Sequence, residues 1–268
     1  MVSRNRIYQK GSKSNKRLIS KKSITAFIIV LQFVFAPSYG QNNAYKISFT
    51  HDNDLYFLTD KYYTAGDHLS FSRLLKDQKQ YKKSIEFKIG QNIFTPKKKK
   101  LADTLRFDRP FAGWLFLKTK ITKASVREIW STGLEVGLTG PQSLADKVQL
   151  NYHKLIKQQL PAWYLQIPND FHININFKHQ KNVINEHILT YSNVTLGTKD
   201  IFVESGLEWF WGSHNNFAKN AYTGLSKHKG KKWFISLGGF YKYVFYNALI
   251  EGSLFNDDAV FTKDIQNS

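Results

Sequence analysis

Apolar and polar residues alternate with a period of two along most of the chain after residue 43. In the stretch 84–94, Ile85, Phe87 and Ile89 form one face, and charged or small residues form the other. The stretch 126–139 repeats this pattern with larger aromatic and aliphatic residues. A period of two predicts β-strands, because successive side chains of a strand point to opposite faces. An apolar face backed by small and polar residues is typical of a strand that separates lipid from a wet lumen.

The same alternation predicts a series of strands that continues almost to the end of the sequence. The predicted strands lie at 45–50, from Leu69 onward, and at 84–94, 111–121, 126–139, 170–178, 186–197, 201–211, 231–245 and from Tyr246 onward. The fold class predicted is therefore all-β, an antiparallel transmembrane β-barrel, and a soluble β-sandwich is the alternative. The count is about ten or eleven, whereas single-chain bacterial barrels have an even number of strands. We expect one or two further C-terminal strands that this sequence lacks.

One stretch, Gln149–Trp163, departs from the alternation and has a helical spacing instead. Its apolar residues recur three and four positions apart, and Pro161 ends the pattern. The residues on this predicted face are Val148, Tyr152, Leu155 and Ile156. The whole helical insertion is predicted at 142–159, and His153 lies near its middle. Because it follows the strand at 126–139, we expect it at one rim of the barrel or inside the lumen.

The first forty residues have the pattern of a secretory signal peptide. A basic segment without acids precedes a thirteen-residue apolar run, Ile24 to Ala36, and small residues follow at Ser38 and Gly40. The run is shorter than the roughly twenty residues that a membrane-spanning helix needs, which disfavours the alternative of an uncleaved anchor. The predicted division is a signal peptide at 1–40 and one barrel domain at 41–268.

Composition narrows the possible partners of the exported domain. Residues 1–40 hold eight of the 39 basic residues and no acid, so removing them lowers the formal charge from +19 to +11. A basic surface suits an anionic partner such as a phosphorylated lipid, although solubility alone also explains it. Nucleic acid is not expected as a partner of an exported chain. The chain has no Cys, and its aromatic content of 15% matches the aromatic girdles of outer-membrane barrels.

Two features of the sequence suggest chemistry. The acidic run HDNDLYFLTDKYYTAGDH at 51–68 offers carboxylates that calcium prefers, with a solvated loop as the alternative. His153 is the second feature, with an ordinary surface histidine as its alternative. No Gly-x-Ser-x-Gly elbow places a nucleophilic serine, so a hydrolase built from these parts would activate water directly. A histidine can accept the proton, and a cation can polarise the ester carbonyl.

Six ordered segments resemble the outer-membrane lipid A 3′-O-deacylase family. They are HDNDLYF (51–57), DKYYTAG (60–66), QNIFTP (91–96), DRPFAGWLF (108–116), GLTGPQSL (137–144) and HKLIKQQLPAWYLQI (153–167). The resemblance implies a twelve-stranded outer-membrane barrel with its active site between barrel wall and lumen, near the outer leaflet. It also implies calcium-dependent hydrolysis of the ester-linked 3′ acyloxyacyl chain of lipid A, by a protein that we expect to be a monomer.

The resemblance further implies roles for individual residues. His153 matches the histidine that activates water, Asp52 the aspartate that holds calcium, and Thr64 a threonine that lines the site. The lysine-rich loop 97–100 lies where the family faces lipid A phosphate, and Lys99 and Lys100 are the predicted phosphate contacts.

Two departures from the family pattern occur within these segments. His51 replaces an Asn and is a possible second metal ligand or base, and Gln159, predicted to contact substrate, replaces a Glu. Because of these departures, a catalytically inert barrel or passive pore stays an alternative, and an outer-membrane phospholipase is another.

Overall fold

The structure is a computed structural model. It describes residues 45–53, 62–97, 108–163, 165–184, 187–213, 216–220, 222–225 and 233–254, all of which belong to one unit, Gln41–Ser268. The predicted signal peptide and any strand after residue 254 lie outside the described residues. Within the described part, no helix is long and apolar enough to cross a membrane.

In the described part of the chain, nine strands form one antiparallel sheet in which each strand pairs with the next. The strands are β1 (Tyr45–Asn53), β2 (Tyr62–Asp77), β3 (Tyr81–Thr95), β4 (Ala112–Ser125), β5 (Glu128–Thr139), β6 (Phe171–Ile184), β7 (Ile188–Gly197), β8 (Asp200–Gly212) and β9 (Phe234–Asn247). A single meander of this kind differs from a sandwich, which needs two packed sheets. The strand predicted from Tyr246 onward is wrong, because Ala248–Glu251 forms a short helix whose first turn is capped by Asn247.

The strand register aligns apolar residues into continuous rows on one face of the sheet. One row crosses six strands through Phe49, Leu69, Ile89, Leu117, Val136 and Ile173. These side chains are not buried, and Phe49 is 69% exposed. Large contiguous apolar surfaces are rare on soluble proteins and mark a face that contacts lipid or a partner. The predicted lipid-facing alternation is therefore present in the folded sheet.

The opposite face is concave and polar. A cavity of about 390 Å³ on this face is lined by residues from each of the six strands β3 to β8, so the sheet curls around it. Its charged lining residues are Lys88, Lys118, Lys120, Lys178 and Lys199 together with Glu86, Glu135 and Asp200. Several of them pair across neighbouring strands, such as Lys118 with Glu135 at 3.2 Å. The concave face has the charged, wet character of a barrel lumen.

The helical insertion between β5 and β6 is shorter than the predicted 142–159. A 3-10 turn at Gly140–Ser143 leads into helix α1, Ala145–Leu155. The turn packs on Gly113 of β4, which has no side chain there, and Ser143 O accepts a 2.5 Å bond from Gln91 Nε2. Gly113 and Gln91 lie on the outward face of the sheet by strand alternation. The helix thus lies at one rim, as predicted, but outside the wall and not inside the lumen.

A small apolar core fastens α1 to the outward face. Ile93 of β3, Phe111, Ala145 and Trp163 form this cluster, and all four are almost fully buried. The Phe111 and Trp163 rings lie 4.9 Å apart between their centres. Burying large aromatic side chains contributes about 1.5–3 kcal/mol each, which is enough to hold a short helix against the sheet.

An arginine of the motif DRPFAGW, in the loop before β4, contacts the second helix, α2 (Ala248–Glu251). The buried Arg109 guanidinium lies 5.1 Å from the centre of the Phe94 ring and donates to Leu249 O at 3.5 Å. Burial lowers the pKa of Arg109 to about 10, so the group stays protonated at neutral pH. The arginine therefore fixes the rim of the sheet beside the helical insertion.

Candidate functional site

A pocket of about 130 Å³ lies between α1 and the outward face of β1, β2 and β3. The strands contribute His51, Asn53, Thr64, Ala65, Asp67 and Ile93, and the helical segment contributes Val148, Gln149, Tyr152, His153, Ile156 and Gln158. Most of the surface that the pocket exposes is apolar, and polar groups converge on it from both sides. This composition is typical of a site that binds an apolar ligand and orients it through a small number of polar contacts.

Helix α1 buries two polar residues, Gln149 and His153, and exposes most of its large apolar ones. Ala145, Gln149 and His153 recur every four positions and are its buried residues. The predicted apolar face is exposed, with Leu155 at 79%; the others of that face are Val148, Tyr152 and Ile156. A helix on a water-soluble protein has the opposite arrangement. The inversion fits a helix whose outer side faces lipid while its inner side serves a site.

The buried imidazole of His153 has a defined tautomer. Its Nδ1 lies 2.8 Å from the backbone oxygen of Gln159. A carbonyl oxygen only accepts hydrogen bonds, so Nδ1 of the neutral ring carries the proton and donates it. The lone pair is then on Nε2, which is the arrangement that a general base needs.

The end of α1 brings the Gln159 carbonyl back to His153. Lys157 has a left-handed backbone with φ of 56°, which is unusual for a residue with a side chain. Gln158 N–H donates to His153 O at 2.9 Å, and Lys157 N–H donates to Lys154 O at 3.2 Å. These are the two hydrogen bonds of a Schellman motif. His153 is therefore held twice, by its main chain and by its ring.

Three polar residues of β1 and β2 complete the strand side of the pocket. His51 Nδ1 and Asp67 Oδ1 are 2.7 Å apart across the two strands. Thr64 is buried, lines the pocket as the family resemblance implies, and shares a 2.7 Å hydrogen bond with Thr95. The strand pairing is irregular between Tyr63 and Ala65, and Thr64 lies at this irregularity.

Asp52 lies on the other face of the sheet, because successive residues of β1 alternate between the two faces. On the concave side its Oδ2 accepts a 3.2 Å hydrogen bond from Tyr63. His68 Nδ1 is 3.8 Å from the same oxygen, and His68 Nε2 is 2.7 Å from Asn92 Oδ1. The structure therefore separates Asp52 from His51 and does not bring this predicted metal pair together.

The described residues do not by themselves form a calcium cage. Calcium takes six to eight oxygen ligands. Asp67, the one described carboxylate of the pocket, is already hydrogen bonded to His51. No group of three His, Cys, Asp or Glu side chains suited to a metal occurs in the described part of the chain. Asp54 and Asp60 of the acidic run lie outside it, as do Lys99 and Lys100. Calcium therefore stays a prediction.

The remaining predicted residue, Gln159, contacts His153 through its main chain, and its side chain is exposed.

Sequence reasoning missed two residues of the site. Gln149 is 4% exposed and lines the pocket, and Trp163 donates to it from Nε1 at 2.7 Å. The spacing of Gln149 and His153, four residues apart on a helix, was the signal that could have found the first.

A single antiparallel meander with an apolar outer face and a charged concave face defines the class of outer-membrane barrel proteins. The family model described as outer membrane protein LpxR matches residues 24–267. The chain belongs to this LpxR family of outer membrane proteins.

The solved structure of LpxR from Salmonella typhimurium has a similar fold. Its TM-score is 0.61 at 21% identity, and the match covers 72% of this chain and 71% of that chain. No curated protein matches this chain. The similarity to a solved barrel confirms the predicted fold class.

Proposed function

We propose that this protein is an outer-membrane hydrolase that removes the ester-linked 3′ acyloxyacyl chain from lipid A. One observation carries the proposal: a buried histidine with its Nε2 lone pair available lies in a mostly apolar pocket on the lipid-facing side of the sheet. Membership of the LpxR family supports the same activity. The site stands on the side from which an acyl chain can enter without leaving the membrane.

In the proposed reaction, His153 acts as the general base. Its Nε2 takes a proton from a water molecule as the water oxygen attacks the ester carbonyl carbon. The carbonyl oxygen becomes an oxyanion, and the ester C–O bond then breaks. The departing sugar oxygen takes the proton back from the imidazolium, which yields a carboxylic acid and an alcohol. The Gln159 carbonyl stabilises the imidazolium through the Nδ1–H bond.

The surroundings of His153 suit a lipid ester. Val148, Tyr152 and Ile156 present apolar surface beside the histidine, and this surface continues into the exposed face of α1. The excess of basic residues in 41–268 suits a phosphorylated headgroup. Lys99 and Lys100 are the residues that we propose for the phosphate. Calcium, which the family resemblance implies, would supply positive charge to the oxyanion, but no step above depends on it.

The test is mass spectrometry of lipid A from cells that express the full chain or a variant. The wild type should convert lipid A to a form that lacks one acyloxyacyl chain, and His153→Ala should lower this conversion at least 1,000-fold, in the range of losses for a missing general base. His187→Gln is the matched control, because His187 Nδ1 also bonds a backbone oxygen, that of Phe210 at 3.0 Å, but outside the pocket. The control should keep full activity.

Other results of the same experiment point to other functions. Production of lysophospholipid with unchanged lipid A would assign a phospholipase. Unchanged lipids in cells with a folded, inserted wild-type protein would assign an inert barrel. Full activity of His153→Ala would remove His153 from the reaction.

A further inference from the structure

The pocket contains a buried hydrogen-bond donor for which the described residues provide no partner. Gln149 is 4% exposed, and its Nε2 atom has no hydrogen-bond partner among the described residues. Leaving a buried amide donor unpaired costs free energy, so such groups are rare in folded proteins. A side chain in this state at a pocket wall is suited to a ligand atom that accepts hydrogen bonds.

The orientation of this amide is fixed by Trp163. The indole Nε1 can only donate, and it lies 2.7 Å from Gln149 Oε1. The amide oxygen must therefore face the indole, because the reverse orientation would set two donors against each other. The NH₂ group is the end that is left for the pocket. Trp163 itself is fixed by the apolar cluster that attaches α1 to the sheet.

Gln149 and His153 occupy one face of α1. They are four residues apart, so their side chains are neighbours on the helix surface, and both line the same pocket. A donor beside a general base is the arrangement that ester hydrolysis requires, since the base activates the water while the donor meets the carbonyl oxygen. The two groups thus form a pair that can act on one ester bond.

We propose that Gln149 is a catalytic residue whose Nε2–H group stabilises the oxyanion formed on the ester carbonyl. This inference rests on the proposed function. The donor is prearranged by Trp163 and shielded from solvent, and both properties strengthen its interaction with developing negative charge. The substrate oxygen gains charge in the transition state, so the hydrogen bond strengthens as the water oxygen attacks.

Two variants at position 149 test the donor. Gln149→Glu replaces the NH₂ group by oxygen and keeps an acceptor for the Trp163 indole. Gln149→Met removes the donor without adding charge. Each should lower kcat about 100-fold or more with a smaller change in KM, which is the usual effect of removing one oxyanion donor. Gln142→Glu is the matched control, because it makes the same chemical change on an exposed residue before α1 and should leave kcat within twofold.

Binding of a tetrahedral anion separates this inference from the proposed function. A long-chain alkyl methylphosphonate monoester mimics the oxyanion, and its affinity for the purified full-length protein in micelles is measurable without turnover. Gln149→Met should weaken this binding at least tenfold, and Gln142→Glu should not.

The results lead to distinct conclusions. If the wild type is active and Gln149→Met keeps its kcat within twofold, the inference is wrong and the proposed function stands. If the wild type leaves lipid A intact, the proposed function is wrong, and phosphonate binding decides the inference. Weaker binding by Gln149→Met supports an anion-stabilising donor, and equal binding rejects it. Heat-modifiable migration on gels shows that each variant has folded.

Discussion

The two faces of the sheet carry very different polar groups. On the concave face, a cavity of about 390 Å³ holds many charges, and acids and lysines from neighbouring strands pair with each other. On the outward face, a pocket of about 130 Å³ exposes mainly apolar surface, and two of its polar residues, His153 and Gln149, have an oriented atom without a partner among the described residues. The smaller cavity is the better candidate site, because it combines an oriented histidine with a buried amide donor beside a largely apolar surface.

The difference follows from the surroundings of each face. Charges in a wet lumen are solvated and screened, so they contribute solubility and modest pairing energy. A polar group on the lipid side has no water to satisfy it, so each one needs a specific partner or a ligand. His153 and Gln149 each have one protein partner that fixes the side chain, and each keeps one atom for the substrate.

The substitution with the largest expected effect on lipid A hydrolysis lies where α1 meets the outward face of the sheet. A side chain on Gly113 would overlap Ser143 Oγ and Ala145 Cβ, so Gly113→Ala must push α1 away from the sheet. We expect at least a 100-fold loss of lipid A hydrolysis and about 1–3 kcal/mol of lost stability from overpacking. Urea unfolding in micelles, followed by tryptophan fluorescence, measures the second quantity.

Gly133 provides the control on the concave face. Its nearest neighbour to an added Cβ is Thr119 O at 3.3 Å, so Gly133→Ala fits with a small adjustment. This variant should keep its activity within twofold. Equal losses of activity in Gly113→Ala and Gly133→Ala would show that displacement of α1 does not explain the effect of Gly113→Ala.

A second prediction concerns the turn that holds His153. Lys157→Val places a β-branched residue at a left-handed φ of 56°, which costs about 1–3 kcal/mol and should open the turn. Lys157→Gly removes the same charge but tolerates this backbone. We expect about a tenfold loss of kcat for the first variant and none for the second. Histidine ¹⁵N shifts should show mixed tautomers for His153 only in Lys157→Val.

Lys147→Val is the control for the loss of charge and the added branching. Lys147 is exposed in the first turn of α1, where φ is negative, so only a small loss of helix propensity is expected. A tenfold loss of kcat in Lys147→Val or in Lys157→Gly would mean that charge, and not backbone conformation, matters at the end of the helix.

The strands could be predicted from sequence because their signal is periodic and local. Alternation located β3, β5 and the lipid-facing residues, since one face of each strand meets lipid and the other meets polar groups. The orientation of α1 could not be predicted in this way. Its apolar face is typical of a helix that packs inward, but Gly113, Ile93 and Trp163 provide the packing surface for its polar side. Two of these residues, Ile93 and Gly113, come from strands distant in sequence.

The candidate site was predictable in part. The family resemblance indicated His153 and Thr64, which both line the pocket. The prediction that His51 joins Asp52 as a metal ligand came from the departure at position 51, although a period of two already places adjacent strand residues on opposite faces. Gln149 was missed because a glutamine on a helix is usually solvated, and its burial depends on the indole of Trp163 fourteen residues later.

A third prediction tests whether the concave face contributes through Asp52. A Cβ on Gly66 would overlap the Tyr63 hydroxyl, so Gly66→Ala should displace Tyr63 from Asp52. If Asp52 holds calcium as the family resemblance implies, Gly66→Ala and Asp52→Asn should both raise the calcium concentration for half-maximal hydrolysis about tenfold. Asp77→Asn, at the far end of β2, should leave it unchanged. Unaltered calcium dependence in Asp52→Asn would remove Asp52 from the metal site.

The smallest effect on stability and hydrolysis is expected when one of the paired charges of the lumen is removed. Lys120 Nζ lies 3.0 Å from Glu86 Oε1, and both side chains are partly exposed, at 36% and 21%. Pairs of this kind contribute about 0–1 kcal/mol, and salt screens them. Lys120→Ala should therefore lower the unfolding free energy by less than about 1 kcal/mol, with a smaller difference from wild type at high salt, and it should leave hydrolysis within twofold. A large loss of activity in a stable Lys120→Ala protein would place the lysine-lined cavity within the substrate path, because charge pairing alone could not produce it.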